Sequence, residues 1–384
     1  MNRLKKKRIL FITGTRADYG KLKPLIKAVE SDKNYECYIF VSGMHLLEQF
    51  GSTYREVLKE GYLNVHVASE IRYTNSMSQN VGNTILAVSE HLHRVNPDMV
   101  VVHGDRIDAL AAAIAGALNN VLVAHVEGGE ISGTIDESIR HGISKFAHIH
   151  FTCNEEANKR LIQMGENPKC IYMIGSPDID IMLSNNLPSL ETVKKYYNIN
   201  FETYGILMYH PVTTDKQEVI KNNISNLVDA AVESNKNYII IYPNNDTGSE
   251  IILEEYEKLR DNACFKIYPS LRFEYFLTLL KNAGFVIGNS SAGVRESGVY
   301  GIPAIDLGSR QKGRYDIENL KNIQHVQEMK ADILKAIGRI EKHRIQSQHF
   351  GKGNSTELFI GYLKNESLWN INIQKQFIDL GETL

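Results

Sequence analysis

Three segments carry residue types suited to acid–base chemistry. His103-Gly104-Asp105-Arg106 and His125-Val126-Glu127-Gly128-Gly129-Glu130 each follow an apolar run that reads as a buried strand, Met99-Val100-Val101-Val102 and Val121-Leu122-Val123-Ala124. Gly133-Thr134-Ile135-Asp136-Glu137 comes next. Successive strands of a parallel sheet end on the same edge, where α/β folds bind their ligands. Asp105 and Glu127, with Asp136 as a possible third, could therefore share one cleft. Carboxylates crowded together have their proton affinities pushed apart, which suits one to act as base and another as acid.

The elements that must position these groups follow a strand–loop–helix pattern. Strands are expected at residues 9–13, 38–41, 99–103, 121–126, 149–153 and 170–174, with helices over 19–30, 78–95, 107–118, 136–147 and 155–164 between them. The helix over 78–95 should stop at Asn96-Pro97. Alternation of this kind implies a parallel sheet covered on both faces. A linker is expected from Gly175-Ser176-Pro177 to about residue 189. A second series of strands then follows at 204–209, 238–242, 265–268, 285–287 and 304–307, with helices over 219–233, 249–260, 272–282 and 293–300. The expected fold class is α/β, with two Rossmann-like doubly wound domains facing a cleft, over residues 1–178 and 189–365. A C-terminal helix over about 366–384, holding the only tryptophan, Trp369, is expected to pack back onto a domain.

Composition narrows the classes of function. The 384 residues carry a net charge of -2, so no global field recruits nucleic acid, and anion binding must rest on local Arg and Lys. No apolar stretch approaches the roughly 20 residues that cross a bilayer. The basic start, Arg3-Leu4-Lys5-Lys6-Lys7-Arg8, reads as a solvated tail and lacks the apolar region and cleavage site of a secretory signal. The four cysteines form no CxxC pair and no zinc pattern, so they read as reduced thiols of a cytoplasmic protein, with Cys153 a packing residue. His91-x-His93 and His148-x-His150 lack an evident third ligand, so no metal is expected.

Three loops suit an anion. Gly14-Thr15-Arg16-Ala17-Asp18-Tyr19 lacks the GxGxxG dinucleotide fingerprint. It reads either as a phosphate or sugar site using Arg16, or as a helix entry with Asp18 as its cap. Gly288-Asn289-Ser290-Ser291-Ala292-Gly293-Val294-Arg295-Glu296 offers small residues, two hydroxyls from Ser290 and Ser291, and the start of a following helix. Glu296, one turn into that helix, could accept bonds from ribose hydroxyls. Gly308-Ser309-Arg310-Gln311-Lys312-Gly313-Arg314 places three cations among glycines, which suits a diphosphate or a solvated basic loop. His210, in Tyr209-His210-Pro211-Val212-Thr213, ends the first strand of the second series, where a role in leaving-group or acid–base chemistry competes with a structural one.

Taken together, the motifs resemble those of the hydrolysing UDP-N-acetylglucosamine 2-epimerases of bacterial sialic-acid pathways. The resemblance spans nearly the whole chain. It rests on Thr13-Gly14-Thr15-Arg16-Ala17-Asp18-Tyr19, His103-Gly104-Asp105-Arg106, the run from Glu127 to His141, His210-Pro211-Val212-Thr213-Thr214, Tyr242-Pro243-Asn244-Asn245-Asp246, Gly288-Asn289-Ser290-Ser291 and Ser309-Arg310-Gln311. The non-hydrolysing relatives usually carry Pro-Glu after the first Arg, and this chain does not.

The resemblance implies a glycosyltransferase-B arrangement without NAD, other cofactor or essential metal, in a homodimer or homotetramer of the cytoplasm serving sialic acid and capsule synthesis. It implies catalysis by Asp105, Glu127 and Asp136 with His210 assisting, and substrate binding by Arg16, Arg106, Asn244, Ser290, Ser291, Glu296 and Arg310. UDP would be held mainly by the second domain, with neither nucleic acid nor membrane as partner. Three rivals remain: an epimerase of a related sugar such as UDP-N,N'-diacetylbacillosamine, a glycosyltransferase of the same architecture, and a catalytically silent nucleotide-sugar sensor.

Overall fold

The structure is a computed structural model that describes residues 6–48, 51–74, 76–132, 135–243 and 248–379. It divides into two compact units, Met1–Asp180 with Gly351–Leu384, and Ile181–Phe350.

In the first unit, β1 (Lys7–Thr13), β2 (Tyr35–Val41), β3 (Val65–Val67), β4 (Met99–His103), β5 (Leu122–Val126), β6 (Ile149–Thr152) and β7 (Ile171–Met173) form one sheet in the order β3-β2-β1-β4-β5-β6-β7. All its pairings are parallel. Both faces are buried, so the strands read as unbroken apolar runs. Ile9 and Phe11 pack with Leu22, Leu25 and Ile26 on one face, whereas Leu10 and Ile12 pack with Val88, Leu92 and Ala112 on the other. The strand order reverses between β1 and β4, which opens a crevice at their carboxyl ends.

Local signals set the helix boundaries. Helix Arg16–Ser31 begins with a capping box in which the Asp18 amide donates to Thr15 Oγ1 at 3.2 Å and the Asp18 carboxylate accepts from the Thr15 amide. Helix Met77–Val95 ends at Asn96, which takes the left-handed conformation (φ 48°) just before Pro97. The short strand β3 was not expected, because three half-buried residues give no clear alternation.

In the second unit, β8 (Gly205–Met208), β9 (Tyr238–Ile241), β10 (Phe265–Tyr268), β11 (Phe285–Gly288), β12 (Ala304–Leu307) and β13 (Ile323–Val326) form a parallel sheet in the order β10-β9-β8-β11-β12-β13. Its order reverses between β8 and β11. Leu207, Tyr209, Ile240, Ile287 and Ile305 center its core.

Two differences from the sequence reading have physical causes. Residues 351–365 pack with the first unit rather than the second, because helix Ser355–Leu363 seats Phe359 against Phe11 and Phe151, at ring-centroid distances of 6.5 and 4.9 Å. The expected C-terminal helix is only four residues long, Glu366–Trp369, and residues 370–379 are irregular. Residues 380–384 lie outside the described segments.

Phe359 is fully buried. Phe359→Ala should therefore lower unfolding stability by about 3–5 kcal/mol through lost burial and a residual cavity. Denaturant titration is the check, and a loss below about 1 kcal/mol would mean that this segment contributes little to the first core.

Candidate active site

The carboxyl edge of the first sheet carries two cation-paired carboxylates, Glu127 after β5 and Asp105 after β4. Glu127 follows β5 directly in the left-handed conformation, φ 62°, which is uncommon for a residue with a Cβ. Its amide donates to the Phe151 carbonyl at 2.8 Å. Its buried carboxylate accepts from Lys21 Nζ at 3.1 and 3.2 Å, lies 3.2 Å from His103 Nε2, and accepts a short bond from the Ser176 hydroxyl. Lys21 also lies 3.5 Å from Asp178. These partners come from helix Arg16–Ser31, from β4 and from the loop after β7.

Asp105 sits two residues beyond β4 and pairs closely with buried Arg140 of helix Ile135–Phe146. Asp136 lies in the first turn of that helix, four residues before Arg140, so the two side chains leave the same face. A buried histidine ties the Gly104-Asp105 turn to the helix. His125 Nε2 is 2.8 Å from the Gly104 carbonyl and Nδ1 is 3.0 Å from Ser144 Oγ. A carbonyl only accepts, so Nε2 carries the proton. Burial keeps the imidazole neutral, with its pKa well below the ordinary value, so Nδ1 accepts from Ser144. Gly128 leaves room for this link, since a Cβ there would lie 2.8 Å from His125 Nδ1 and 3.0 Å from Ser144 Oγ.

The corresponding edge of the second sheet is built around Asn289, which is fully buried. Its Oδ1 accepts from the His210 amide at 2.7 Å, and its Nδ2 donates to the His210 carbonyl at 2.8 Å. Its own carbonyl accepts from Arg310 Nη1 at 3.1 Å and from Gln311 Nε2 at 2.8 Å. Residues following β8, β11 and β12 are thus joined through one side-chain amide and one carbonyl. Gly288 permits the close approach of β11 to β8: its φ is 134°, and a Cβ would collide with the Met208 carbonyl. Burial first, then the Arg310 charge, hold the His210 imidazole down at about 3, so it is neutral at pH 7.

The remaining expected site residues fall at several places. Arg16 opens its helix and pairs with Glu56 at 3.1 Å. Arg106 is exposed at the N-cap of helix Ile107–Leu118. Ser290 is nearly buried, and its Oγ accepts from the Ala292 amide at 3.4 Å. The helix expected over 293–300 is instead a 3-10 turn at Ser291–Gly293 and a four-residue helix, Glu296–Val299. Glu296 is therefore the first residue of a short helix and is largely buried, not one turn into a longer one. Asn244 lies outside the described residues, as do Gly133 and Thr134.

Asp18 serves the capping box, and its carboxylate also accepts from the Gly14 amide at 3.0 Å. Three of the four paired histidines have packing or hydrogen-bonding partners, and His93 is exposed on helix Met77–Val95. His91 stacks on His66, His148 accepts from the Val123 amide, and His150 meets Glu166. All four cysteines are free thiols. Among the described residues, Glu127, Glu130 and Cys153 offer ligand atoms within 4.8 Å of one another, while Lys21 supplies positive charge on Glu127.

Each unit is a doubly wound α/β sheet, the first ending in cation-paired carboxylates and the second in a glycine- and serine-rich loop beside an arginine. The chain belongs to the UDP-N-acetylglucosamine 2-epimerase family, whose model matches residues 27–364. It is 46% identical over 376 residues to a UDP-N-acetylglucosamine 2-epimerase of Neisseria meningitidis, covering 97% of this chain and 99% of that protein. It is 33% identical to a hydrolyzing UDP-N,N'-diacetylbacillosamine 2-epimerase of Legionella pneumophila, covering 83% and 85%. A solved Neisseria meningitidis UDP-GlcNAc 2-epimerase bound to UDP-GlcNAc shares the fold, with TM-score 0.80, 18% identity, and coverage of 93% of this chain and 100% of that one. The Methanocaldococcus jannaschii enzyme in complex with UDP-GlcNAc and UDP gives TM-score 0.78 at 25% identity, covering 93% and 99%.

The depressed His210 pKa predicts a definite pH dependence. Between about 3 and the ordinary 6.5 the unfolded chain binds a proton that folded His210 does not, so this residue's contribution destabilises the fold as pH falls through that window. His210→Asn removes the contribution. The variant's unfolding free energy should decline less steeply than wild type between pH 6.5 and pH 4; equal slopes in urea titrations would show that His210 already protonates normally.

Proposed function

We propose that this chain is a hydrolysing UDP-N-acetylglucosamine 2-epimerase, converting UDP-N-acetylglucosamine and water to UDP and N-acetylmannosamine in the cytoplasm, at the start of sialic acid and capsule synthesis. The observation that carries the reading is the placement of Asp105 and Glu127 after the adjacent strands β4 and β5, each paired with a cation. The 46% identity to the Neisseria relative favours this substrate over the diacetylbacillosamine derivative, for which the Legionella relative gives 33%. The same carboxylates argue against a transferase or a silent sensor.

The mechanism follows from the chemistry of the sugar. The hydrogen on carbon 2 is not beside a carbonyl and resists removal by a carboxylate. As the bond from carbon 1 to the diphosphate oxygen breaks, its electron pair leaves with UDP and carbon 1 gains cationic character. A carboxylate then takes the carbon 2 proton, and the C–H electrons form the double bond of 2-acetamidoglucal. In the second step water supplies hydroxyl to carbon 1, and a proton returns to carbon 2 from the opposite face. Asp105, Glu127 and Asp136 are the acid, base and electrostatic groups, each proton transfer giving about 10²–10⁴-fold. His210, neutral, donates a hydrogen bond to the diphosphate, while Arg310 and the Ser290-Ser291 loop hold its charge. Arg16, Arg106, Asn244 and Glu296 complete substrate binding in this reading. No cofactor or metal takes part, and the working form is a homodimer or homotetramer.

Incubation with UDP-N-acetylglucosamine alone in deuterium oxide tests the reading. Proton NMR should show UDP and N-acetylmannosamine deuterated at carbon 2. Absence of turnover would point to a transferase or sensor, and protium retained at carbon 2 would exclude elimination.

Binding and catalysis should separate on mutation. Asp105→Asn, Glu127→Gln and Asp136→Asn should each lower kcat by about 10² or more, with little change in UDP affinity. Arg310→Ala should weaken UDP binding by about 1.5–3 kcal/mol, the scale of a charged hydrogen bond. Calorimetry and kcat measured side by side are the check. A folded carboxylate variant with near wild-type kcat loses its assigned role, and unchanged UDP affinity removes Arg310 from the site.

A further inference from the structure

The irregular segment at residues 370–379 is anchored to the first unit at several points. His148 Nε2 lies 3.0 Å from the Ile373 carbonyl, the Ile378 amide donates to the Gly165 carbonyl at 3.2 Å, and the Lys145 ammonium sits 5.3 Å from the Phe377 ring center. Phe377 lies over Gly165, where a Cβ would collide with the ring. The central contact is Lys375. Its ammonium donates to the carbonyls of Ser144, Lys145 and Ala147 at 2.8, 3.0 and 2.7 Å and forms a close ion pair with fully buried Glu166. Glu166 also pairs with Lys145 at 2.8 Å and with His150 at 3.1 Å.

These carbonyls end helix Ile135–Phe146, where the aligned peptide dipoles leave negative charge and unsatisfied acceptors. The same helix carries Asp136 and Arg140, the latter on Asp105, and Ser144 is its link through His125 to Gly104. We propose that Lys375, held by Glu166, is a positioning residue for the acidic site: by capping the carboxyl end of this helix it fixes where Arg140 and Asp136 stand. It touches no substrate. The role rests on the reaction proposed above, and it makes the tail part of the catalytic scaffold.

The test uses the full chain and three variants: Lys375→Met, Lys375→Arg, and Lys364→Met. The last removes another contact of the C-terminal region, the 3.7 Å pair with Asp32, which leaves the helix alone. At a temperature where all are folded, Lys375→Met should lower kcat for UDP release about tenfold or more, with KM within about threefold. Amide exchange over residues 135–143 should quicken. Lys375→Arg should recover most of both, and Lys364→Met should resemble wild type. An unchanged kcat in folded Lys375→Met, unchanged exchange in the helix, or an equal loss in Lys364→Met would overturn the proposal. If wild type itself fails to release UDP from UDP-N-acetylglucosamine, the proposed reaction falls, and with it the catalytic role of Lys375. The exchange comparison then still reports separately whether Lys375 clamps the helix.

Discussion

A carboxylate removed from water is costly unless cations and hydrogen-bond donors surround it, and Glu127 imposes that requirement on the first unit. Its left-handed backbone adds conformational cost of about 1–3 kcal/mol, which persists only where neighbours over-determine it. Here they do. The amide is held by Phe151 of the adjacent strand β6, and the carboxylate by Lys21, Ser176 and the nearby His103. Those partners come from three separate parts of the chain, so the helix after β1, the end of β4 and the loop after β7 must all be in register for Glu127 to be satisfied. The parallel sheet supplies that register, and its order reversal at β1 and β4 brings the first two of those elements to one crevice.

The second unit meets a different requirement. On the proposed reading its loops receive an anion, and such loops must hold their donors in place before the anion arrives. Asn289 does this by bonding both backbone groups of His210 while its own carbonyl anchors Arg310 and Gln311. A protonated imidazole beside Arg310 would repel it. Burial together with that arginine keeps His210 uncharged, which preserves an N–H donor without a second cation beside Arg310.

Legibility in the sequence followed the range of each interaction. Strand runs such as 99–103 and the stop at Asn96-Pro97 are local, and they appear where the pattern put them. Asp105 and Glu127 could be placed on one sheet edge because parallel topology gathers successive strand ends there. Lys21, Ser176 and Arg140 were not, since each reaches its carboxylate across 35 or more residues and nothing near it in sequence marks the pairing. Ser176 even read as linker. The helix expected over 293–300 misled because small residues suit either a helix entry or a 3-10 turn, and packing chose the turn. The tail misled similarly: its apolar residues suggested a helix, yet Phe377 and Lys375 reach separate pockets of contact that an extended chain serves better.

The proposed chemistry partitions charge. Breaking the bond to UDP produces an anion and a cationic sugar, and each is stabilised by a different environment. On this proposal the diphosphate gains from Arg310 and from donors that carry no competing negative charge. The sugar cation gains, on the same proposal, from Asp105 and Glu127, each with a cation beside it. Those same cations offset part of the negative field that Asp105 and Glu127 present, so each pairing balances satisfying the acid against leaving its field available. Loss of Lys21 or Arg140 would upset that balance from the opposite side to loss of an acid, by leaving the carboxylate without its counter-charge. A fold that delivers acids and their counter-cations from separate elements can tune the two independently, which a single contiguous motif cannot.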